Sequence, residues 1–150
     1  MISGSCACGK VEWVSKSLPG SLCFCHCISC RKASGGPFQA FFGFNNDDVT
    51  WVCSLGSKQN EVALSKSAKR TFCSNCGTSL SMQYRAAPHY TGICAGSLDE
   101  KSVAGGVELL ENINKHHIFV KDKVSWYDIP EDGLERQQHM DSADELLIYD

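Results

Sequence analysis

Three cysteines with the spacing Cys-x-Cys-x-x-Cys are the residues of this chain with the clearest chemical meaning. They are Cys25, Cys27 and Cys30, and no fourth cysteine follows them closely. Zinc binds thiolates readily. A structural zinc site uses four protein ligands, whereas a catalytic site uses three and keeps one position for water or substrate. The spacing of this three-cysteine cluster therefore indicates a metal centre with an open coordination position.

Two separated cysteine pairs indicate a second metal site. Cys73 and Cys76, followed by Gly77, have the spacing of a zinc knuckle, in which the glycine lets the backbone curl behind the second sulfur. The knuckle supplies only two ligands, and Cys6 and Cys8 form the incomplete pair that complements it. We predict that this four-cysteine cluster holds a structural zinc that stabilises the fold. The alternative, a thioredoxin-like redox pair, belongs to a βαβ context and lacks this glycine.

The remaining cysteines leave two interpretations of the three-cysteine cluster open. Its metal keeps an open position, or Cys23, Cys53, Cys94 or a histidine closes it as a second structural site. Cys23 competes most directly, since strand alternation would place it on the same face as the first two ligands. We retain the three-cysteine cluster as the ligand set, with Cys23 buried, and interpret Cys53 and Cys94 as small buried apolar residues.

Short extended segments must position these cysteines. Most of the chain consists of such segments separated by turns rich in Gly, Pro, Ser, Asn and Asp, which predicts a mainly β fold. Phe38, Ala40, Phe42 and Phe44 recur at period two and supply one aromatic face to the core. The other predicted elements are strands at residues 10–14, 49–53, 61–64, 69–72, 79–84 and 90–95, a helical turn at 30–34 and a surface helix at 134–147.

Composition limits the classes of protein to which the chain can belong. Its 150 residues fit one domain. The ten cysteines point to metal, because no secretory leader precedes them and cysteine clusters in reducing cytosol usually bind metal. We therefore expect a cytoplasmic protein, and no segment reaches the length of a membrane span. The net charge is −3, with 14 basic residues scattered among 17 acidic ones, so we expect no nucleic-acid partner.

The sequence around the cysteines resembles the glutathione-dependent formaldehyde-activating enzyme family, which includes the centromere-protein-V-like domains. The resemblance spans residues 3–128 within a domain of residues 1–128, and leaves 129–150 as a polar C-terminal extension. It implies an Mss4-like fold of folded antiparallel sheets with two Zn²⁺ per chain, one on each cysteine cluster. The matching segments are GSCACG at 4–9, CHCISCRKASGGPF at 25–38, FCSNCGT at 72–78, AGSLD at 95–99, HIF at 117–119 and Trp126.

The resemblance also implies a reaction class. Family members make or break a carbon–sulfur bond between glutathione and a small electrophilic carbon, of which S-(hydroxymethyl)glutathione is the namesake adduct. It implies that Cys25, Cys27 and Cys30 act through the second zinc, with glutathione as substrate or co-substrate. Arg31 and Lys32 follow the last ligand and are candidates to bind the glutathione carboxylates, although a solvated surface pair is the commoner role of such residues.

Several other side chains leave alternatives open. His26 is either an acid or base or, by alternation with its neighbours, points away from the metal. His117 and Trp126 either line the pocket or belong to the core. The competing function is a zinc-stabilised β-domain that serves as a protein-interaction module without catalysis. In that case exposed residues such as Leu146 and Leu147 bind a protein partner or a second copy of the chain.

Overall fold

The computed structural model describes residues 1–140 and confirms the predicted mainly β fold. Within this range it has eleven strands, one α-helix and several short 3-10 turns. The elements are β1 Ile2–Ser5, β2 Val11–Ser15, β3 Ser21–Cys25, α1 Ile28–Ser34, β4 Gln39–Asn45, β5 Val49–Cys53, β6 Gln59–Val62, β7 Ala68–Cys73, β8 Ser79–Tyr84, β9 Tyr90–Cys94, β10 Asn114–Ile118 and β11 Glu135–Arg136.

The strands form two sheets. The small sheet has the order β1-β2-β5, and the large sheet has the order β11-β10-β3-β4-β9-β8-β7-β6. Neighbouring strands are antiparallel except at β10, which runs parallel to both β3 and β11. The described part of the chain therefore has the predicted antiparallel sheets, with two parallel pairings that add β10 and β11 to the large sheet.

The main apolar core joins side chains of the two sheets. Ile2 and Trp13 of the small sheet pack with Phe42, Phe44 and Ile93 of the large sheet, and all five are buried. The rings of Trp13 and Phe44 lie 5.7 Å apart between centroids, at a tilted angle that aromatic pairs favour. The aromatic face predicted for β4 is thus the side of the large sheet that packs against the small one.

The opposite face of the large sheet carries the three-cysteine cluster. Because successive residues of a strand point to opposite faces, Phe41 lies behind Phe42 and packs in a separate buried cluster with Cys25, Cys27 and Cys30. The pairing of Cys25 with Gln39 in β3 and β4 fixes which face each side chain takes. The register of these two strands therefore places the first sulfur of the cluster in the interior.

Helix α1 positions the other two sulfurs of the three-cysteine cluster. It begins two residues before the predicted turn, because Cys27 is its N-cap and its sulfur accepts a hydrogen bond from the Cys30 backbone N–H at 3.4 Å. The helix ends as predicted at Gly35, whose φ of 72° is left-handed and favours glycine. The Cys27 side chain is thus both the N-cap of this helix and a candidate metal ligand.

The helix predicted at residues 134–147 is wrong in the part that the structure describes. Residues Glu135 and Arg136 form the short strand β11 beside β10, and the Gln137 N–H donates to the His117 carbonyl at 2.9 Å. An open edge of the large sheet offers backbone partners to an extended segment, and this pairing prevails over a weak helical pattern. Residues 141–147 of that prediction, including Leu146 and Leu147, lie outside the described residues.

Candidate metal centres

The four-cysteine cluster brings together side chains from both sheets. The sulfur atoms of Cys6, Cys8, Cys73 and Cys76 all lie within 4.8 Å of one another, with Cys6 Sγ and Cys8 Sγ 3.4 Å apart and Cys8 Sγ and Cys73 Sγ 3.9 Å apart. A zinc–sulfur distance of about 2.3 Å in a tetrahedron places sulfurs about 3.8 Å apart. None of these cysteines is in a disulfide. The donor set and its spacing fit a tetrahedral zinc.

Backbone and hydroxyl donors surround these sulfurs. The Val11 N–H donates to Cys6 Sγ at 3.3 Å, and the Asn75 N–H donates to Cys73 Sγ at 3.4 Å. Hydrogen bonds from the side chain and backbone of Thr78 lower the pKa of Cys76 to about 5. Backbone donors also lower the pKa of Cys73, but burial and the neighbouring Cys6 and Cys76 raise it to about 11. The donors around Cys76 thus favour the thiolate form that a metal requires.

The three-cysteine cluster is fully enclosed. Cys25, Cys27 and Cys30 are at most 1% exposed, and their sulfurs lie within 4.8 Å of one another. Across residues 1–140 no fourth Cys, His, Asp or Glu atom joins this group. Cys23 lies outside it and is half-buried, while Cys94 is buried and its sulfur accepts a hydrogen bond from Gln39 Nε2 at 3.0 Å. Within the described residues, this cluster thus offers three ligand atoms to a metal.

The interpretation of Cys53 as a buried residue is wrong. Cys53 is the last residue of β5, one of the two edge strands of the small sheet, and is exposed. Strand alternation defines two faces, but only the packing of the sheets decides which face is covered. Cys94, by contrast, is buried as predicted.

Arg70 is a part of the three-cysteine centre that the sequence analysis missed. This residue of β7 is 6% exposed, and its Nη2 lies 3.3 Å from Cys30 Sγ. A buried guanidinium needs a negative partner, and thiolates supply it. Hydrogen bonds from Cys25 and Cys27 lower the pKa of Cys30 well below its usual range against the effect of burial, and the charge of Arg70 lowers it further. The sequence gives one indication of this role. Arg70 is a basic residue two positions after the apolar Ala68, so strand alternation places both side chains on the same, inward face of β7.

Replacing Arg70 with methionine is expected to weaken zinc binding at the three-cysteine cluster by 10- to 100-fold, because outer-shell partners of metal ligands typically contribute that much. The affinity is measured by competition with a chromophoric chelator. The matched control is Arg85→Met, since Arg85 is exposed and its Nε donates only to the Lys66 carbonyl. Equal zinc affinities in the two variants would show that Arg70 does not support the ligand set.

His26 lies on the other side of the large sheet from the cluster. Its Nε2 is 2.9 Å from His117 Nδ1, and His117 Nε2 is 2.9 Å from a carboxylate oxygen of Asp132. The ring also contacts Phe38 and Tyr127. Burial, followed by the neighbouring His117, lowers the pKa of His26 to about 4, so the ring is neutral at physiological pH. The structure thus agrees with the alternative in which His26 points away from the three-cysteine cluster. The contacts from His26 through His117 to Asp132 also link the C-terminal residues to the large sheet.

The remaining predicted site residues lie apart from the sulfurs. Arg31 donates from Nε to the His26 carbonyl at 3.2 Å, and Lys32 is exposed on the same helix. His117 is 3% exposed and belongs to the interior, whereas Trp126 is 71% exposed.

No helix within residues 1–140 is both long and apolar enough to cross a membrane.

The fold and these two clusters define a cysteine-rich β-domain whose thiolates are placed to bind metal. The model of the glutathione-dependent formaldehyde-activating enzyme family matches residues 1–122, and the chain belongs to this family. The family resemblance seen in the sequence is thereby confirmed.

Two individual proteins are also similar to the chain. An uncharacterized lyase of Schizosaccharomyces pombe is 33% identical over 81 residues, which are 54% of this chain and 56% of that protein. The match thus spans about half the length of this relative. The crystal structure of a Rhodobacter sphaeroides protein aligns with a TM-score of 0.52 and 22% identity, over 75% of this chain and 98% of that one. At this identity, the similarity shows a shared fold alone.

Proposed function

We propose that the protein is a zinc-dependent carbon–sulfur lyase or synthase that acts on the glutathione adduct of a small electrophile, of the S-(hydroxymethyl)glutathione type. The observation that carries the proposal is the three-cysteine cluster, which has no fourth protein ligand among the described residues. The family to which the chain belongs is named for glutathione and formaldehyde, and the fission-yeast relative is named a lyase. Both names support this reaction class.

Zinc held by Cys25, Cys27 and Cys30 would supply a cation that favours the thiolate form of a substrate thiol. The chain's own residues prepare its surroundings. The buried side chains Phe41 and Ile118 give the cluster apolar neighbours. The guanidinium of Arg70 balances charge, because three thiolates, one divalent ion and one guanidinium sum to zero.

The proposed reaction exchanges no electrons with a cofactor. In the synthetic direction the thiol sulfur forms a bond to a carbonyl carbon, and the thiol proton ends on the carbonyl oxygen. In the lyase direction the carbon–sulfur bond breaks, the hydroxyl proton returns to sulfur and the carbonyl compound leaves. The Arg70 guanidinium, 3.3 Å from Cys30 Sγ, would offset part of the negative charge that a substrate thiolate adds to the three cysteine thiolates.

The test is calorimetric titration of glutathione into zinc-loaded protein in buffers of different ionisation enthalpy. We expect binding with release of about one proton, since a metal-bound thiol is deprotonated. S-methylglutathione, whose sulfur carries no proton, should release none. Cys27→Ser should lose binding, and Cys53→Ser, which alters an exposed cysteine, should keep it. Glutathione binding that is absent, or unchanged in Cys27→Ser, would refute the proposal.

A further inference from the structure

An apolar cavity of about 350 Å³ lies on the face of the large sheet that carries the three-cysteine cluster. Strands β3, β4, β8, β9 and β10 all contribute to its walls. Its volume is at the lower end of ligand pockets, which measure about 300–1,000 Å³. Its main lining residues are Cys23, Phe41, Met82, Tyr84, Ala87 and Ile118.

This cavity adjoins the three-cysteine cluster. Phe41, Met82 and Ile118 line the cavity and also pack in the buried cluster of the metal sulfurs. Cys23 lies two residues before Cys25 in β3, so both side chains point to the same face, about 7 Å apart along the strand. The cavity and the cluster therefore share a wall, which the apolar side chains of Phe41, Met82 and Ile118 form.

The chemistry of the walls excludes the peptide part of glutathione. The described lining contains no Asp, Glu, Lys or Arg, and burial lowers the pKa of its one histidine, His116, which keeps it neutral. Glutathione carries two carboxylates and an ammonium group, and burying these without partners is costly. The cavity thus suits the group that the electrophile contributes to a thiol adduct, provided that this group is apolar.

Two glycines in neighbouring strands shape the outer end. A Cβ atom on Gly43 would lie 1.8 Å from the Tyr90 hydroxyl, so the ring of Tyr90 covers the space that a side chain would fill. The same hydroxyl lies 3.2 Å from Ser21 Oγ. A Cβ atom on Gly92 would lie 3.1 Å from the Cβ atom of Phe41 in the floor. Tyr90 and Ser21 thus close the end of the cavity that lies away from the sulfurs.

We infer that the electrophile bears an apolar hydrocarbon group, such as an alkyl chain or a phenyl ring, and that this cavity binds it. The inference rests on the proposed function and narrows its substrate class to thiol adducts of apolar aldehydes. Formaldehyde carries only hydrogen atoms at the carbonyl carbon and would leave the cavity unfilled. The hydrocarbon group of a larger aldehyde is removed from water there, which favours the larger adduct.

The experiment uses a rim variant, Ala87→Phe, which places a ring in the cavity from a half-buried turn position. Its matched control is Ala104→Phe, an equal change at an exposed position outside the lining. The probes are 1-hexanol, followed by protein NMR, and S-methylglutathione and S-hexylglutathione, titrated by calorimetry into zinc-loaded protein. Wild type and Ala104→Phe should bind hexanol and prefer the hexyl thioether, by about fourfold for each methylene that enters the cavity. Ala87→Phe should lose both the binding of hexanol and the preference for the hexyl thioether.

The outcomes separate this inference from the proposed function. Hexanol binding without binding of either thioether would count against the glutathione chemistry and would still support an apolar ligand for the cavity. Wild-type protein that binds no hexanol would overturn the inference. A preference for the hexyl thioether that survives in Ala87→Phe would overturn it as well.

Discussion

Cys73→Ser is expected to leave the purified protein without a cooperative thermal transition. The substitution removes one of four sulfurs that lie within 4.8 Å of one another. Structural zinc binding contributes about 10–16 kcal/mol in small zinc-dependent folds. A typical domain is stable by only about 5–15 kcal/mol in total. Losing this site therefore removes a free energy as large as the whole stability. Circular dichroism during heating measures the effect.

The physical reason for so large an effect is the distance in sequence that the four-cysteine cluster spans. Cys8 and Cys73 are 65 residues apart, and their sulfurs are 3.9 Å apart. One pair follows β1 of the small sheet, and the other lies at the turn between β7 and β8 of the large sheet. A metal bound to these four sulfurs would fix one sheet to the other, in addition to the apolar core that they share.

Cys53→Ser provides the matched control for this prediction, because it makes the same chemical change at an exposed cysteine outside both clusters. Its melting temperature should stay within a few degrees of wild type, as is usual for surface substitutions. Excess chelator should reproduce the Cys73→Ser result in wild-type protein. A Cys73→Ser protein that melts cooperatively near the wild-type temperature would show that the four-cysteine cluster does not stabilise the fold.

Cys27→Ser is expected to abolish turnover while the fold persists. Loss of an outer-shell partner alone costs about 10- to 100-fold in metal affinity or activity, so loss of a ligand should cost at least about 100-fold. The change is selective, since serine is itself a good N-cap and can still accept the hydrogen bond that begins α1. Consumption of S-(hydroxymethyl)glutathione, followed by NMR, measures the activity.

Two further measurements test whether Cys27→Ser changes only the three-cysteine cluster and leaves the fold intact. The zinc content of Cys27→Ser should fall from two ions per chain to one, because only the three-cysteine cluster is changed. The far-UV circular dichroism spectrum should match that of Cys53→Ser. If Cys27→Ser retained wild-type turnover with an intact fold, catalysis would not pass through this cluster, and an interaction role for the domain would become the better hypothesis.

The cysteine clusters could be predicted from sequence because short-range spacing defines their chemistry. Cys25, Cys27 and Cys30 lie on one strand end and one helix start, so local geometry alone brings their sulfurs together. The pairing of the two more distant cysteine pairs followed from a count of ligands, since each pair is incomplete alone. The mainly β fold followed from alternating short segments and frequent turns.

Features that depend on strand register could not be predicted in this way. Arg70 lies opposite Met82 of β8, which packs in the same buried cluster as Cys30, and no local pattern encodes that pairing. The cavity is built by two distant parts of the chain, strands β3 and β4 and strands β8 to β10. The exposure of Cys53 and the pairing of β11 with β10 likewise depend on which sheet edges remain open.

Side chains of β3 alternate between the two faces of the large sheet, and this alternation limits which insertions and deletions the strand can accept. Cys25 faces the metal side of the large sheet, while Phe24 stacks on His117 on the other side, with ring centroids 5.0 Å apart. An insertion or deletion of one residue here would exchange the two faces, presenting an aromatic ring to the metal and a sulfur to the histidines. The number of residues in β3, from Ser21 to Cys25, is therefore fixed by the side of the sheet on which Cys25 must lie.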